Sequence, residues 1–328
     1  MLVCELCPKS CHIEEGALGD CGIRANLEGR LRALTYGHPC AVNVDPVEKK
    51  PLYHFLPGSG ILSVATVGCN LSCRGCQNWA ISQARVEEAP AYSLLPAELP
   101  ALLERDSLAA VAYTYTEPLA WYEYTLDCCQ AVKDRGYRNV LVTAGYLNEK
   151  PLRRLLPLVD AAKVDLKALD AAFYRDWCGG DLGTVLRNLR IFKELGVWLE
   201  LTNLVVPGMN DSDAGLGRLV DWVLANLGDT TPLHFSRFYP RWRAENLPPT
   251  PTETLERART LALKAGLRFV YVGNVRQSEG ERTYCVNATC PGRQRALIRR
   301  SGYVIEENRL RDGACPDCGS PLPGVWKP

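Results

Sequence analysis

The chain has 328 residues, enough for one large domain with appendages or for two ordinary domains. Hydrophobic residues make up 47% and charged residues 23%, as in a globular protein, and 38 basic against 37 acidic residues leave a net charge of +1 with no global pull toward nucleic acid or membrane. No run approaches the ~18 consecutive apolar residues of a membrane span, and Met1-Leu2-Val3-Cys4-Glu5 lacks the basic and apolar stretches of a signal peptide, so a cytoplasmic location is expected.

Residues 1–60 show little apolar periodicity and are rich in Cys, Gly and Pro. They read as a small metal-stapled module followed by an extended arm from Asp45 to Phe55. From 61 to 275 short apolar runs alternate with longer amphipathic stretches. Strands are expected at Ile61–Val67, Ala109–Thr114, Asn139–Thr143, Ala161–Leu166, Val197–Thr202, Leu233–Ser236 and Arg268–Val272. Helices are expected at Pro118–Arg135, Asp181–Leu195 and Ser212–Leu227, the first two stopped by Gly136 and Gly196. Strands alternating with helices imply parallel βαβ units. The expected fold class is therefore α/β, a partial or near-complete TIM-type βα barrel with small Cys-rich modules at both ends. A doubly wound open sheet is the competitor. Residues 276–328, where Cys and Arg become frequent, are expected to form a C-terminal module.

Fifteen cysteines are too many for an ordinary reduced-compartment enzyme, and their grouping points to metal before disulfides. Eleven fall into three groups. Cys4, Cys7, Cys11 and Cys21 are candidate ligands of zinc or of an iron–sulfur cluster, with His12 an alternate ligand; the spacing does not separate the two. Cys285-x4-Cys290 with Cys315-x2-Cys318 has the look of a zinc ribbon, its x4 half being the less regular. Nearby Arg293, Arg295, Arg299 and Arg300 are either a solvated face or a contact for nucleic acid or protein. Cys128 and Cys129 sit in a candidate helix as packing residues, and Cys178 next to Gly179-Gly180 receives little functional weight.

The remaining group is Cys69-x3-Cys73-x2-Cys76, directly after a candidate strand. Three thiolates hold three irons of a 4Fe-4S cube and leave the fourth open to an exogenous ligand, which a closed four-cysteine site would not do. Gly68 and Gly75 permit the backbone to wrap a cluster corner. A zinc site or buried free thiols are the competing readings. Sites of βα barrels gather at the carboxyl ends of strands, and each later strand end here carries polar or Gly/Pro-rich residues: Thr114 to Pro118, Thr143 to Asn148, Asp165 to Lys167, Asn203 to Asp211, and His234 to Pro240.

The cysteine loop resembles the signature of the radical S-adenosylmethionine (SAM) superfamily. That resemblance implies a 4Fe-4S cluster on Cys69, Cys73 and Cys76, and reductive cleavage of SAM to a 5′-deoxyadenosyl radical that removes hydrogen from a substrate. It also implies a SAM site at the strand ends, with Thr114, Glu117, Thr143, Asn148, Asp165, Lys167, Val205 and His234 as candidates. Glu117 would meet the amino group of SAM, although Thr-Glu-Pro stands here in place of a Gly-Gly-Glu-like element. Lys167 would meet the carboxylate, His234 the ribose and the Val205 segment the adenine. Otherwise Asp165 and Lys167 are a strand-end ion pair, His234 a core histidine, and Glu117 the start of a helix.

Over nearly its full length the chain is similar to the AmmeMemoRadiSam system radical SAM enzymes, relatives of pyruvate formate-lyase activating enzyme. The similarity rests on Cys4-Glu5-Leu6-Cys7-Pro8, Glu48-Lys49-Lys50-Pro51-Leu52-Tyr53-His54-Phe55, Gln77-Asn78-Trp79, Phe235-Ser236-Arg237-Phe238-Tyr239-Pro240 and Pro323-Gly324-Val325-Trp326. It implies Memo-like and AMMECR-like protein partners, and an external reductant such as flavodoxin or ferredoxin. It names no substrate. A glycyl radical enzyme activase and a metal-stapled nucleic-acid-binding or RNA-modifying protein are the alternative functions.

Overall fold

A computed structural model describes residues 1–275 and 279–327. The expected start of the C-terminal module at residue 276 lies outside the described residues.

Four short strands build the N-terminal segment: β1 (Leu2–Val3) pairs antiparallel with β2 (His12–Ile13), and β3 (Arg24–Leu27) with β4 (Arg30–Ala33). The main sheet has eight strands in chain order: β5 (Ala41–Pro46), β6 (Gly60–Ala65), β7 (Ala110–Tyr113), β8 (Arg138–Thr143), β9 (Ala161–Asp165), β10 (Trp198–Val205), β11 (Leu233–Arg237) and β12 (Val270–Gly273). From β6 onward every neighbour is parallel. A doubly wound sheet reverses its strand order at a switch point. This order runs one way throughout, so the sheet curls as a barrel, and it stays open because β5 and β12 are its edges. A hairpin, β13 (Ile298–Ser301) and β14 (Val304–Asn308), belongs to the C-terminal segment.

All seven strands expected from the apolar runs form. Their sequences read as continuous apolar runs because both faces are covered, and every residue of β7 is buried. The helices are α1 (Trp79–Ser82), α2 (Leu99–Arg105), α3 (Tyr122–Lys133), α4 (Glu149–Leu155), α5 (Ala171–Phe173), α6 (Leu182–Glu194), α7 (Asp213–Leu227) and α8 (Thr252–Ala265). The side chains of Asp181 and Ser212 cap α6 and α7 by accepting from Thr184 N–H (2.8 Å) and Gly215 N–H (3.2 Å). Helix α3 starts later than its periodicity suggests, because Glu117 and Pro118 form a turn in which Leu119 N–H donates to the Glu117 carboxylate. No helix among the described residues is long and apolar enough to cross a membrane.

The arm differs most from expectation. Its first residues are β5, antiparallel to β6. Its later residues enter the foot of the barrel, where Tyr53 N–H and His54 N–H donate to the buried Glu200 carboxylate at 2.9 and 2.8 Å. There the arm meets the terminal Pro323–Trp326 motif: His54 Nδ1 lies 2.7 Å from Pro323 O, and Leu56 N–H donates to Val325 O at 2.7 Å. Arg300 is also drawn in. Its guanidinium is buried over the Tyr53 ring and donates to Tyr53 O (2.8 Å) and Thr283 Oγ1 (2.9 Å). The expected four-arginine face is corrected accordingly: Arg300 is structural, and Arg299 faces Glu307 at 3.3 Å.

Arg300→Met keeps the packing length but removes the donors to Tyr53 O, Thr283 Oγ1 and Glu281 O. It should lower stability by about 2–3 kcal/mol, read from the urea midpoint. An unchanged midpoint would mean that Arg300 does not hold the C-terminal segment.

Candidate active site

A cavity of about 330 Å³ opens at the carboxyl ends of the parallel strands. Each strand end contributes to it, including Thr114 beyond β7, Thr143 of β8, Asp165 of β9, Thr202 of β10 and Ser236 of β11. This is the end at which βα barrels place chemistry, since loops there converge while the strands hold them rigid.

The loop after β6 carries Cys69, Cys73 and Cys76 into the cavity. It is anchored across the barrel, Ser72 N–H donating to Cys178 O (2.9 Å) and Arg74 N–H to Trp177 O (3.0 Å). Residues Tyr174–Cys178 form a π-helical turn continuing α5, a feature often found at functional sites. Two glycines are required by contact. A Cβ on Gly75 would lie 2.8 Å from Phe238, and one on Gly68, where φ is +87°, would lie 2.4 Å from Ile23 and 2.7 Å from Cys21 O. Burial pushes the Cys69 thiol up, and Glu117 adds to that. A hydrogen bond from Cys178 holds Cys73 below the usual thiol range. Cys178, of little functional weight in the sequence reading, is set beside Cys73 by the π turn.

Glu117 is buried with its carboxylate aimed at the end of β8. It accepts from Thr143 Oγ1 (2.5 Å) and Ala144 N–H (2.7 Å). Burial raises it to about 7, against the pull of those hydrogen bonds. Opposite lies Asp165, paired with Lys163 and with Lys167 Nζ at 3.2 Å. Burial would raise Asp165, but the two ammoniums hold it low. Burial would lower Lys167, but Asp165, then Cys73, keep it raised. Asn203 and Asn210 fix the Lys167 backbone by donating to its carbonyl at 3.0 and 2.6 Å. On a third side Lys50 joins Asp45 (2.6 Å) and Ser63 Oγ, and burial lowers it to about 8.

Of the SAM candidates, Thr114, Glu117, Thr143, Asp165 and Lys167 share this cavity, and three do not line it. Asn148 stands at the N-cap position of α4 without a side-chain cap, and its amide donates instead to Glu5 O (2.7 Å), tying down the N-terminal segment. Val205 is buried between Leu204 and Val206, which do face the cavity, because side chains alternate along a strand. His234 lies deeper in the barrel, 2.8 Å from Glu200 and edge-on to Tyr53. Lys50, Lys163 and Tyr303 line the cavity and were not among the candidates. The lysine-rich arm motif was visible in sequence, but its position over the site depends on the β5–β6 pairing.

The other cysteine groups also converge. Among the described residues, Cys285, Cys290, Cys315 and Cys318 alone gather three or more ligand atoms within 4.8 Å of one another. Their Sγ atoms stand 3.7 Å apart in the pairs Cys285–Cys318 and Cys290–Cys315. Tetrahedral coordination with metal–sulfur bonds of ~2.3 Å sets sulfurs about 3.8 Å apart, so this quartet is spaced to hold one ion. Cys4, Cys7, Cys11 and Cys21 line a separate, small cavity behind the central loop.

Comparison with known proteins agrees with this geometry. The radical SAM superfamily profile matches residues 63–219. An uncharacterized protein of Methanocaldococcus jannaschii is 44% identical over 97% of this chain and 94% of its own length. The 4-hydroxyphenylacetate decarboxylase activating enzyme of Clostridium scatologenes is 26% identical over 39% of this chain, which spans 44% of that enzyme. Among solved structures, a radical SAM methyltransferase from Sphaerobacter thermophilus shares the fold, with a TM-score of 0.51 and 17% identity over 67% of this chain and 68% of that one. The profile falls on the strands that surround the three-cysteine loop, and the chain belongs to the radical SAM superfamily.

Proposed function

We propose that Cys69, Cys73 and Cys76 hold a 4Fe-4S cluster and that the adjoining cavity binds SAM, for hydrogen abstraction from a protein substrate. The observation that carries the reading is the convergence of three thiols, and no fourth cysteine, on one cavity that also presents Glu117 and Lys167. That donor set fits a cluster whose remaining iron takes an outside ligand. When bound, the cluster supplies the electron that splits the SAM sulfonium into methionine and a 5′-deoxyadenosyl radical.

The chain's own residues do the rest. Glu117, held rigidly by Thr143 and Ala144, accepts from the amino group of SAM. Lys167 meets the SAM carboxylate, kept cationic by Asp165. Thr114 and Thr143 supply hydroxyls at the strand ends. The likeness to an activating enzyme supports a protein substrate and a one-electron donor. The arm and terminal motifs support the AmmeMemoRadiSam assignment, with Memo-like and AMMECR-like partners as the proteins to test. The C-terminal quartet is read as a structural zinc site. Burial of Arg300 weighs against the nucleic-acid reading.

Anaerobic protein reconstituted with iron and sulfide should form 5′-deoxyadenosine from SAM and dithionite, and Cys76→Ala should not. Mass spectrometry reads the product, and formation by the variant would overturn the ligand set. Glu117→Gln should weaken SAM binding roughly 10- to 150-fold by calorimetry. Glu117 is ionised above about 7 and protonated below it, so the advantage of wild type over Glu117→Gln should shrink as pH falls through that value. A pH-independent ratio would remove Glu117 from SAM recognition. Metal analysis should find about one zinc per chain lost in Cys315→Ala/Cys318→Ala; zinc retained in that variant would refute the C-terminal assignment.

A further inference from the structure

We propose that Cys4, Cys7, Cys11 and Cys21 hold a second 4Fe-4S cluster, placed to pass electrons to the central one. This rests on the reading of Cys69, Cys73 and Cys76 as ligands of that central cluster.

The four cysteines arrive from short, separately fixed segments. Cys4 and Cys11 face each other where the β1–β2 hairpin ends, Cys4 N–H donating to Cys11 O at 2.9 Å. Cys7 sits in the intervening turn, closed by Ser10 N–H to Cys7 O at 3.1 Å. Cys21 comes from the loop before β3, past Gly19, whose missing Cβ would lie 3.6 Å from Cys11 Sγ. All four are free thiols, and all four line one cavity with Leu6, Ile13 and Ala120. Cys4 and Cys7 are buried there.

Spacing separates zinc from iron–sulfur. A single tetrahedral ion draws its sulfurs to about 3.8 Å, and the C-terminal quartet meets that condition. Among the described residues no three sulfurs of the N-terminal quartet come within 4.8 Å of one another, and neither do the three of the central loop. The N-terminal group thus falls outside single-ion spacing, as do the three thiols assigned to a cube, in which each cysteine binds a different iron. Charge fits as well. Arg24 lines the cavity and is buried; its terminal nitrogens pair with Glu123 while its Nε has no partner. Cluster and thiolate sulfurs would accept that orphan N–H, and a guanidinium would offset the negative charge that four thiolates confer.

Position supplies the role. Asn70 lines the N-terminal cavity, while its neighbours Cys69 and Leu71 line the central one. Consecutive Cα atoms lie about 3.8 Å apart, so one thickness of main chain divides the two cavities. Cys21 O also packs against Gly68, which leaves no room for a side chain between the two loops. In the transfer one electron leaves the reduced N-terminal cluster and enters the oxidised central cluster, with no bond made or broken. A one-electron protein donor such as a flavodoxin then restores the first.

The test uses full-length protein reconstituted anaerobically with iron and sulfide in the presence of zinc. Wild type should hold about eight irons and eight sulfides per chain. Cys69→Ala/Cys73→Ala/Cys76→Ala should keep about half of each, with a dithionite-reduced paramagnetic signal that ignores SAM. Zinc in place of iron at that site in this variant would overturn the second cluster. Cys4→Ala/Cys7→Ala/Cys11→Ala/Cys21→Ala should keep a signal that SAM shifts, and loss of that signal alone would count against the central cluster instead. In the same variant reduction by flavodoxin hydroquinone should be lost while reduction by dithionite persists. Undiminished reduction by flavodoxin would overturn the relay.

Discussion

Glu200 is a carboxylate with no exposure at the foot of an apolar barrel. An unpaired charge there would be prohibitive, so the surrounding chain is arranged to satisfy it. Tyr53 N–H, His54 N–H, His234 Nε2 and Trp198 Nε1 all lie within 3.1 Å of its two oxygens. Burial would raise Glu200, yet these partners, His234 foremost, hold it low. A carboxylate depressed in this way stabilises the fold above its unfolded value, and that contribution fades as pH falls. The arm, the foot of the barrel and, through Arg300 on Tyr53, the C-terminal segment are fixed by this one charge.

That constraint explains how an open sheet supports a site that needs fixed geometry. Strands β5 and β12 do not close on each other. The arm fills the foot of the barrel instead, and in crossing from β5 it lays Lys49 and Lys50 along the cavity wall. Tyr303, from the turn between β13 and β14, reaches the same cavity. Segments that look like appendages in the sequence thereby complete the walls.

The barrel was legible because its strands are buried on both faces and its helices are amphipathic, and the two signals alternate cleanly. Asp181 and Ser212 marked helix starts because their side chains satisfy free backbone N–H groups. The meeting of Cys69, Cys73 and Cys76 on one cavity was legible because residues of one short loop are close in sequence. The misplacements come from side-chain direction and from long-range contacts. Val205 stands among residues that face the cavity but points the other way. His234 sits on a strand whose end reaches the site, yet it turns toward Glu200, and nothing local to residue 234 announces a carboxylate at residue 200. Arg300 counted as surface charge until the Tyr53 ring was brought beneath it. Cys178 needed the π turn to reach Cys73.

The latch between the arm and the Pro323–Trp326 segment joins residues 269 positions apart. Contacts so distant in sequence form late, since the entropy of closing so long a loop must be overcome before they contribute. During synthesis all three cysteine groups emerge before residue 323, so every one of these thiols is in place before the latch can form.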